Sequence, residues 1–371
     1  MSNSIIFWNS IVLDVLRDTG ARPPEASRAI AMVHVAMHEA AAYKTLAAGQ
    51  DHSNAACSVA AHIVLTHLFP TQSRVFDSAL GAALPDRSSP STESGMSLGR
   101  SAADAVLEWR EHDHSDEAVP YVPQDRPGAW KPTPPGYEEA YAPNWPMVTP
   151  FAIGSTSQFR SAGHPPLTSP EYAAAFDNTK SLGSKTSQFR TDEQTEIAHF
   201  WADGAGTVVL WNLIAQQVAA SKPVSLLDTA HLFALLNVAL ADAVIAAWDD
   251  KYYFNLWRPV SAIREADGDG NPLTEADPAW EPLDATKPEP EHTSAHCAVS
   301  GAAARILELF SGCDDFSFAL TSVNSPRITR SYRSFSQAAA EAAQSRIYAG
   351  LHFEFSTNSG LDKGKAIADH V

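Results

Sequence analysis

Cysteine is nearly absent from this sequence: 371 residues contain only Cys57, Cys297 and Cys313, too few for a disulfide framework and without zinc-type spacing. They read as three mostly buried thiols. Positive charge is also scarce. Twenty-six Lys and Arg stand against 43 Asp and Glu, and the net charge of −17 repels nucleic acid and anionic lipid over most of the surface. No nucleic-acid partner is expected, and any anion site must be a local positive island. No stretch approaches the roughly 20 uninterrupted apolar residues that span a bilayer, so the chain reads as soluble, with no membrane span. Met1 to Arg17 lacks a basic start and carries Asn9, Ser10 and Asp14 within its apolar run; it reads as an amphipathic helix, not a signal peptide. Cytoplasmic placement and secretion after loss of a leader both stay open. Alternating strand patterns are scarce, and no repeat, Gly-x-Ser-x-Gly elbow or dinucleotide glycine motif is found.

What is present is a helical pattern in a chain that is 44% hydrophobic and 19% charged, the balance of a globular protein. From Asn3 to about Val106, Ala-rich amphipathic segments follow one another, broken by Pro23-Pro24 and by the stretch from Pro85 to Gly95. Twelve of the 25 prolines fall between Pro120 and Pro170. They predict a long irregular connection, anchored by Trp130, Tyr137, Tyr141, Trp145 and Phe151. Ser169-Pro170 reads as an N-cap and first helical residue, and Asp228 as the cap of a long apolar helix reaching Trp248 and Lys251. A third helix runs from about Ser294 to Phe310 before Gly312. A fourth opens at Ser334-Phe-Ser-Gln337 and ends at Gly350. The expected architecture is all-α, with an N-terminal helical scaffold and proline-rich connection over 1–168 and a C-terminal helical domain over 169–371.

Three segments put cations or hydrogen-bonding side chains where an apolar helical face would otherwise continue. In Trp248-Asp-Asp-Lys251-Tyr-Tyr-Phe-Asn-Leu-Trp-Arg258-Pro259, the seven-residue spacing places Lys251 and Arg258 on one helical face, within reach of one anion. The alternative is a pair of chains with their charged heads in water. In His292-Thr-Ser294-Ala295-His296, a helix N-terminus, its hydroxyl and an imidazole could face one anion; Ser294 could equally be a plain N-cap and His296 a core histidine. In Ser345-Arg346-Ile-Tyr-Ala-Gly350-Leu-His352, a break at Gly350 turns His352 back toward Arg346, a residue suited to gripping oxyanions. Otherwise Arg346 satisfies a helix C-terminus and His352 is buried beside it.

Together these segments resemble the signature of the vanadium-dependent haloperoxidase and type-2 phosphatidic-acid-phosphatase superfamily: Lys-x6-Arg-Pro, Pro-Ser-Gly-His and Ser-Arg-x5-His, in that order. The first and third match in spacing. In the second, Thr293 stands for the usual proline and Ala295 for the glycine, with Ser294 and His296 in register. Where the family often has Asp four residues after the last histidine, this chain has Ser356, so the support for His352 differs. Ser157-Gln-Phe-Arg160, Leu167-Thr-Ser169 and the run from Arg190 to Trp201 resemble the longer bacterial haloperoxidase-type proteins.

The resemblance implies helical bundles of the vanadium chloroperoxidase type. It implies that Lys251, Arg258 and Arg346 neutralise an oxyanion, that Ser294 and the Ala295 N–H bond its oxygens, that His352 bonds its central atom (vanadium, when the cofactor is vanadate), and that His296 is the acid–base group. With vanadate, hydrogen peroxide oxidises bromide or chloride to a hypohalous-acid equivalent, Lys251 polarising the bound peroxide and Trp248 standing on the halide side. Without vanadate, phosphate occupies the pocket, and His352 attacks a hydrophobic phosphoester while His296 protonates the leaving group. Length, the N-terminal helical region and Trp248 favour the haloperoxidase. The partners implied are small molecules: peroxide, halide, and an organic acceptor or phosphoester; a homodimer stays open.

Other motifs read as structural. Asp267-Gly-Asp269-Gly-Asn271 has Pro272 where a calcium loop needs glycine, and reads as a surface turn. His34 and His38 read as core packing, Glu111 to Asp116 as a solvated polar loop, and Asp249-Asp250 lacks a third carboxylate. Glu289, seven residues before His296, stands where family haloperoxidases tend to carry Phe or His beside the halide path. Between Pro288 and Pro290, it is expected to point outward into solvent rather than into the pocket.

Overall fold

The computed structural model describes residues 3–43, 49–202, 206–322 and 327–371. Among these residues, thirteen α-helices, three short 3-10 turns and one β-hairpin make up the regular structure, and the fold is the helical one expected. The chain divides into two compact units, Met1–Asp113 with Val208–Ala241, and His114–Thr207 with Asp242–Val371. Each is assembled from two stretches of sequence, so their bounds differ from the continuous 1–168 and 169–371.

The first unit holds α1 (Ser4–Asp18), α2 (Pro23–Ala42), α3 (Gln50–Leu68), α4 (Ser73–Ala83) and α5 (Pro90–Arg110), with most of α8 (Gly206–Ser221) and the start of α9 (Leu226–Phe254). Pro23-Pro24 and Pro90 occupy first-turn positions, where no N–H is needed; the break thus ends at Ser89, earlier than the expected Gly95. Helix α3 packs against both α2 and α5. The α3–α5 approach is close because Gly99 faces the Ala56 carbonyl: a Cβ there would lie 2.3 Å from that oxygen. Helix α9 starts at a Ser225 cap and not at Asp228, with the hydroxyl accepting from Asp228 N (3.1 Å) and the Asp228 carboxylate accepting from Ser225 N (3.3 Å). By length and composition α9 could cross a membrane, but 83% of its apolar window is buried inside the fold.

Asp113, expected in a solvated loop, is buried and binds Arg110 and Arg28. Two guanidiniums within reach make burial of its charge tolerable. His34 is fully buried, stacked on Phe233 with ring centroids 5.1 Å apart, its Nε2 2.8 Å from Asn9 Oδ1.

The second unit contains α6 (Pro170–Gly183), α7 (Asp192–Phe200), the end of α9, α10 (Pro259–Arg264), α11 (Ala295–Ser311), α12 (Phe335–Tyr348) and α13 (Glu354–His370). Ser169 caps α6 through Tyr172 N, and Gly312 closes α11 at φ 77°, as the sequence suggests. The hairpin β1 (Asp315–Thr321) and β2 (Thr329–Ser334) was not expected. Its signal is the alternation Phe316, Phe318, Leu320, too short to stand out beside the helices. The proline-rich stretch is irregular apart from one short 3-10 turn, Trp145–Met147. Trp130 and Trp145 are buried in it, whereas Tyr137 is 64% exposed and anchors nothing. Asp242 on α9 accepts from the backbone N–H groups of Phe151, Ala152 and Ile153 at 2.7, 2.8 and 2.9 Å. Helix α11 packs on α12 and α13. Beside them, Tyr172, Phe176, Leu256, Trp257, Trp280 and Phe353 form one apolar cluster.

Burial lowers the His34 pKa from 6.5 to about 3. Because the unfolded chain binds this proton between those values, stability falls as pH drops from about 6.5 toward 3. His34→Gln is expected to reduce the loss of unfolding free energy between pH 7 and pH 5 by about 2 kcal/mol, read from urea melts at both pH values. Parallel losses in the two proteins would show that His34 does not drive the acid limb.

A candidate oxyanion site

Lys251 sits on the last turn of α9, but it does not share a helical face with Arg258. The helix stops at Phe254. Asn255 then takes φ 53°, with its Oδ1 accepting from Tyr121 Oη at 2.7 Å. Leu256 bridges to Ala129, and Arg258 becomes the N-cap residue of α10. The two cations meet through a turn, and asparagine is one of the few residue types that enters the left-handed region readily.

Both cations are buried against the segment 289–291. Lys251 Nζ donates to the carbonyls of Pro290 (2.6 Å) and Glu291 (3.2 Å). Arg258 donates from Nε to the Glu289 carbonyl (2.8 Å), from Nη2 to the Glu289 carboxylate (2.7 Å), and from Nη1 to the Leu351 carbonyl (2.9 Å) and His352 Nε2 (3.1 Å). Pro288 and Pro290 have no N–H, so carbonyls dominate the polar face of this segment. The outward placement expected for Glu289 is therefore wrong. The residue is 8% exposed, and its carboxylate turns inward because a buried guanidinium needs an anion.

His352 does turn back as its sequence suggests. Gly350, at φ 76°, ends α12, and Leu351 N bonds to the Arg346 carbonyl at 3.0 Å. A Cβ at Gly350 would meet the Gly183 carbonyl at 2.5 Å, so the turn is also packed too tightly for a side chain. Since Arg258 can only donate, His352 Nε2 is the accepting nitrogen, and Nδ1–H donates to Glu291 Oε1 at 2.9 Å. Glu291 is fully buried and also accepts from Phe353 N (3.0 Å) and Ser356 Oγ (2.5 Å). Ser356 Oγ lies 2.8 Å from His292 Nδ1, and His292 Nε2 2.9 Å from Ser161 Oγ. Sequence reasoning missed Glu291. The available signal was Ser356, where a carboxylate was expected and had to come from elsewhere.

Ser294 is the N-cap residue of α11, yet its side chain caps nothing. Its hydroxyl is buried beside the Cys297 thiol, without an oxygen or nitrogen partner among the described residues. Ala295 and His296 open the helix, where N–H groups have no carbonyl one turn earlier. His296 keeps partial exposure, with Nδ1 2.7 Å from Thr207 Oγ1 and its ring edge-on to Trp201. Arg346 donates from Nη2 to the Trp201 carbonyl (2.8 Å) and from Nε to Ser345 Oγ (2.9 Å). Trp248 is buried, its ring 5.9 Å from Lys251 Nζ. Lys251, Arg258 and His352 thus share partners directly, while Arg346 and His296 are linked to each other through Trp201 and act on His352 through the electric field.

That field is strong because water is excluded. Burial, reinforced by Arg258, Lys251, Arg346 and His296, holds His352 well below the usual histidine range. His296 is lowered likewise, by burial and then by Arg346 and Lys287. Burial pulls Lys251 down, with Arg258 adding repulsion, and pushes Glu291 up against its hydrogen bonds from Ser356 and Phe353. Even Arg346 falls to about 10, chiefly by burial.

A family model described as the VCPO second helical-bundle domain matches residues 231–371, which include Lys251, Arg258, Glu289, Glu291, Ser294, His296, Arg346 and His352. The vanadium chloroperoxidase of Curvularia inaequalis is 26% identical over 83% of this chain, which spans 66% of that protein's length. A crystal structure of a bacterial vanadium-dependent iodoperoxidase superposes with a TM-score of 0.84 at 27% identity, covering 98% of this chain and 94% of that one. By sequence and by fold the chain is similar to vanadium-dependent haloperoxidases. A holo-type bacterial vanadium-dependent chloroperoxidase, at 18% identity and a TM-score of 0.75 over 93% and 90% of the two chains, has the same fold.

The remaining motifs are engaged in structure. Asp249 pairs with Arg160 (2.7 Å), and Asp250 with Lys363 (2.9 Å) and the Thr293 hydroxyl (2.6 Å). Asp269 and Asn271, read as a surface turn, are buried and bond within their own turn and to Leu167.

Glu291→Gln removes the charge that fixes the His352 tautomer, and is expected to weaken phosphate and vanadate binding about 10- to 100-fold. Isothermal titration, with a melting curve to confirm folding, reads this. Unchanged affinity would show that His352 needs no orienting carboxylate.

Proposed function

We propose that this protein is a vanadate-dependent haloperoxidase that oxidises bromide or chloride with hydrogen peroxide. What supports this most is the donor set around His352: buried cations, a buried hydroxyl on Ser294 with no oxygen or nitrogen partner among the described residues, and one imidazole lone pair held in a single tautomer. Vanadate fits such a set. Lys251, Arg258, Arg346, Ser294 and the Ala295 N–H would hold its oxygens, and His352 Nε2 its metal. When bound, vanadate supplies a Lewis-acidic centre at which peroxide oxidises halide while the metal keeps its oxidation state.

The chain's own residues do the rest. An arriving anion competes for the Arg258 Nη1–H that now occupies His352 Nε2, and the freed lone pair faces the anion's central atom. Glu291 keeps the proton on Nδ1 during that exchange. In the tautomer that donates Nδ1–H to the Thr207 hydroxyl 2.7 Å away, neutral His296 presents Nε2 to take a proton from incoming peroxide. Lys251 places positive charge where oxygen charge develops, and Trp248 covers the side from which halide comes.

A second reading has its own observation. A carboxylate-supported imidazole with an accepting Nε2 is also the arrangement of a nucleophile, so a cofactor-free phosphatase acting on a hydrophobic phosphoester uses the same atoms.

Purified protein assayed with and without vanadate separates the two, using peroxide plus bromide in one arm and a chromogenic phosphate ester in the other. Bromination only with vanadate is the expected result; ester cleavage inhibited by vanadate would replace it with the second reading. His352→Ala is expected to abolish whichever activity is present. A folded variant within a few-fold of wild type would remove His352 from the site.

A further inference from the structure

The carboxylate of Glu289 has no hydrogen bond to His352, yet it is paired with Arg258 and its charge acts on Lys251. Arg258 holds this residue twice, through its backbone carbonyl at 2.8 Å and its carboxylate at 2.7 Å. Its N–H is tied back to the Lys287 carbonyl at 2.9 Å, and a proline on either side narrows its backbone. A side chain pinned in this way stays in place when a ligand enters.

The surrounding charges can be followed one by one. Lys251, Arg258 and Arg346 are formally positive, Glu289 and Glu291 negative. Asp250 faces Lys251 but is paired with Lys363. Asp284 faces Arg346 and Lys287 faces His296, two opposite charges that offset. With both histidines neutral, the cage carries one net positive charge instead of three.

We propose that Glu289 is a specificity-determining residue, an internal counter-ion of Arg258 that makes the pocket select singly charged tetrahedral oxyanions over doubly charged ones. The inference rests on the pocket binding oxyanions, whichever reaction follows. Coulomb energy is linear in ligand charge, whereas the cost of taking an ion out of water grows as its square, so a cage reduced to one net positive charge does not repay the desolvation of a dianion; the fixed carboxylate repels a dianion twice as strongly as a monoanion of the same shape. On the haloperoxidase reading, the same charge also repels an incoming halide.

Perrhenate and sulfate test this at one pH, because both are tetrahedral and their charges stay fixed. In the wild type, perrhenate is expected to displace sulfate at equal concentration. In Glu289→Gln the ratio of sulfate to perrhenate affinity should rise about tenfold or more, the effect of one unit charge a few ångströms away. Glu289→Asp should keep the wild-type ratio. A merely structural role would move both affinities together, so an unchanged ratio overturns the proposal, as does sulfate displacing perrhenate in the wild type. If the wild type binds neither anion, the oxyanion reading fails as well; if it binds both and the ratio ignores Glu289, this inference alone fails.

Discussion

Three positive charges taken out of water are the constraint around which the second unit is built. An unpaired buried ion costs several kcal/mol, and here Lys251, Arg258 and Arg346 are each less than 5% exposed. The fold compensates them with oriented carbonyls from residues 289–291, 351 and 201, and with two carboxylates. This explains why a proline-rich segment, poor in donors and unable to form a helix, lies against the cations. Its lack of N–H groups is what suits it to them.

The same constraint divides what could be read in the sequence from what could not. Lys251, Arg258, Ser294, His296, Arg346 and His352 stand out as polar residues in apolar or small-residue surroundings, and helix ends at Ser169, Gly312 and Gly350 follow from local stereochemistry. Their compensating partners do not stand out. Glu289 and Glu291 sit in a Pro/Glu-rich run that reads as solvated, because a carboxylate 31 residues from its guanidinium, or 61 from its imidazole, carries no local mark of the pairing. The seven-residue spacing of Lys251 and Arg258 also has more than one geometric solution, and a turn at Asn255 serves as well as two helical turns. The hairpin 315–334 was hidden for a different reason: it is short, and its alternation lies between two strong helices.

Ser356 shows how a changed position can be compensated within a site. A serine cannot hold the His352 proton as a carboxylate does, but it donates to Glu291, which can. The supporting charge thus comes from the loop before α11 and not from the helix that follows His352. Leu256 and Trp257 before Arg258, and Phe353 after His352, belong to one apolar cluster, so the backbone carrying these side chains is fixed independently of their polar contacts.

The Arg258 contact at His352 Nε2 also bears on metal toxicity. Imidazole nitrogens are common ligands for zinc and copper ions, and a site holding two histidines would ordinarily risk scavenging them. Here the lone pair on Nε2 is covered by a guanidinium that a divalent cation has no means of attracting away, and the neighbouring charge repels such an ion before it arrives. An anion meets the opposite conditions. The contact thus sets a condition by sign of charge at the nitrogen itself.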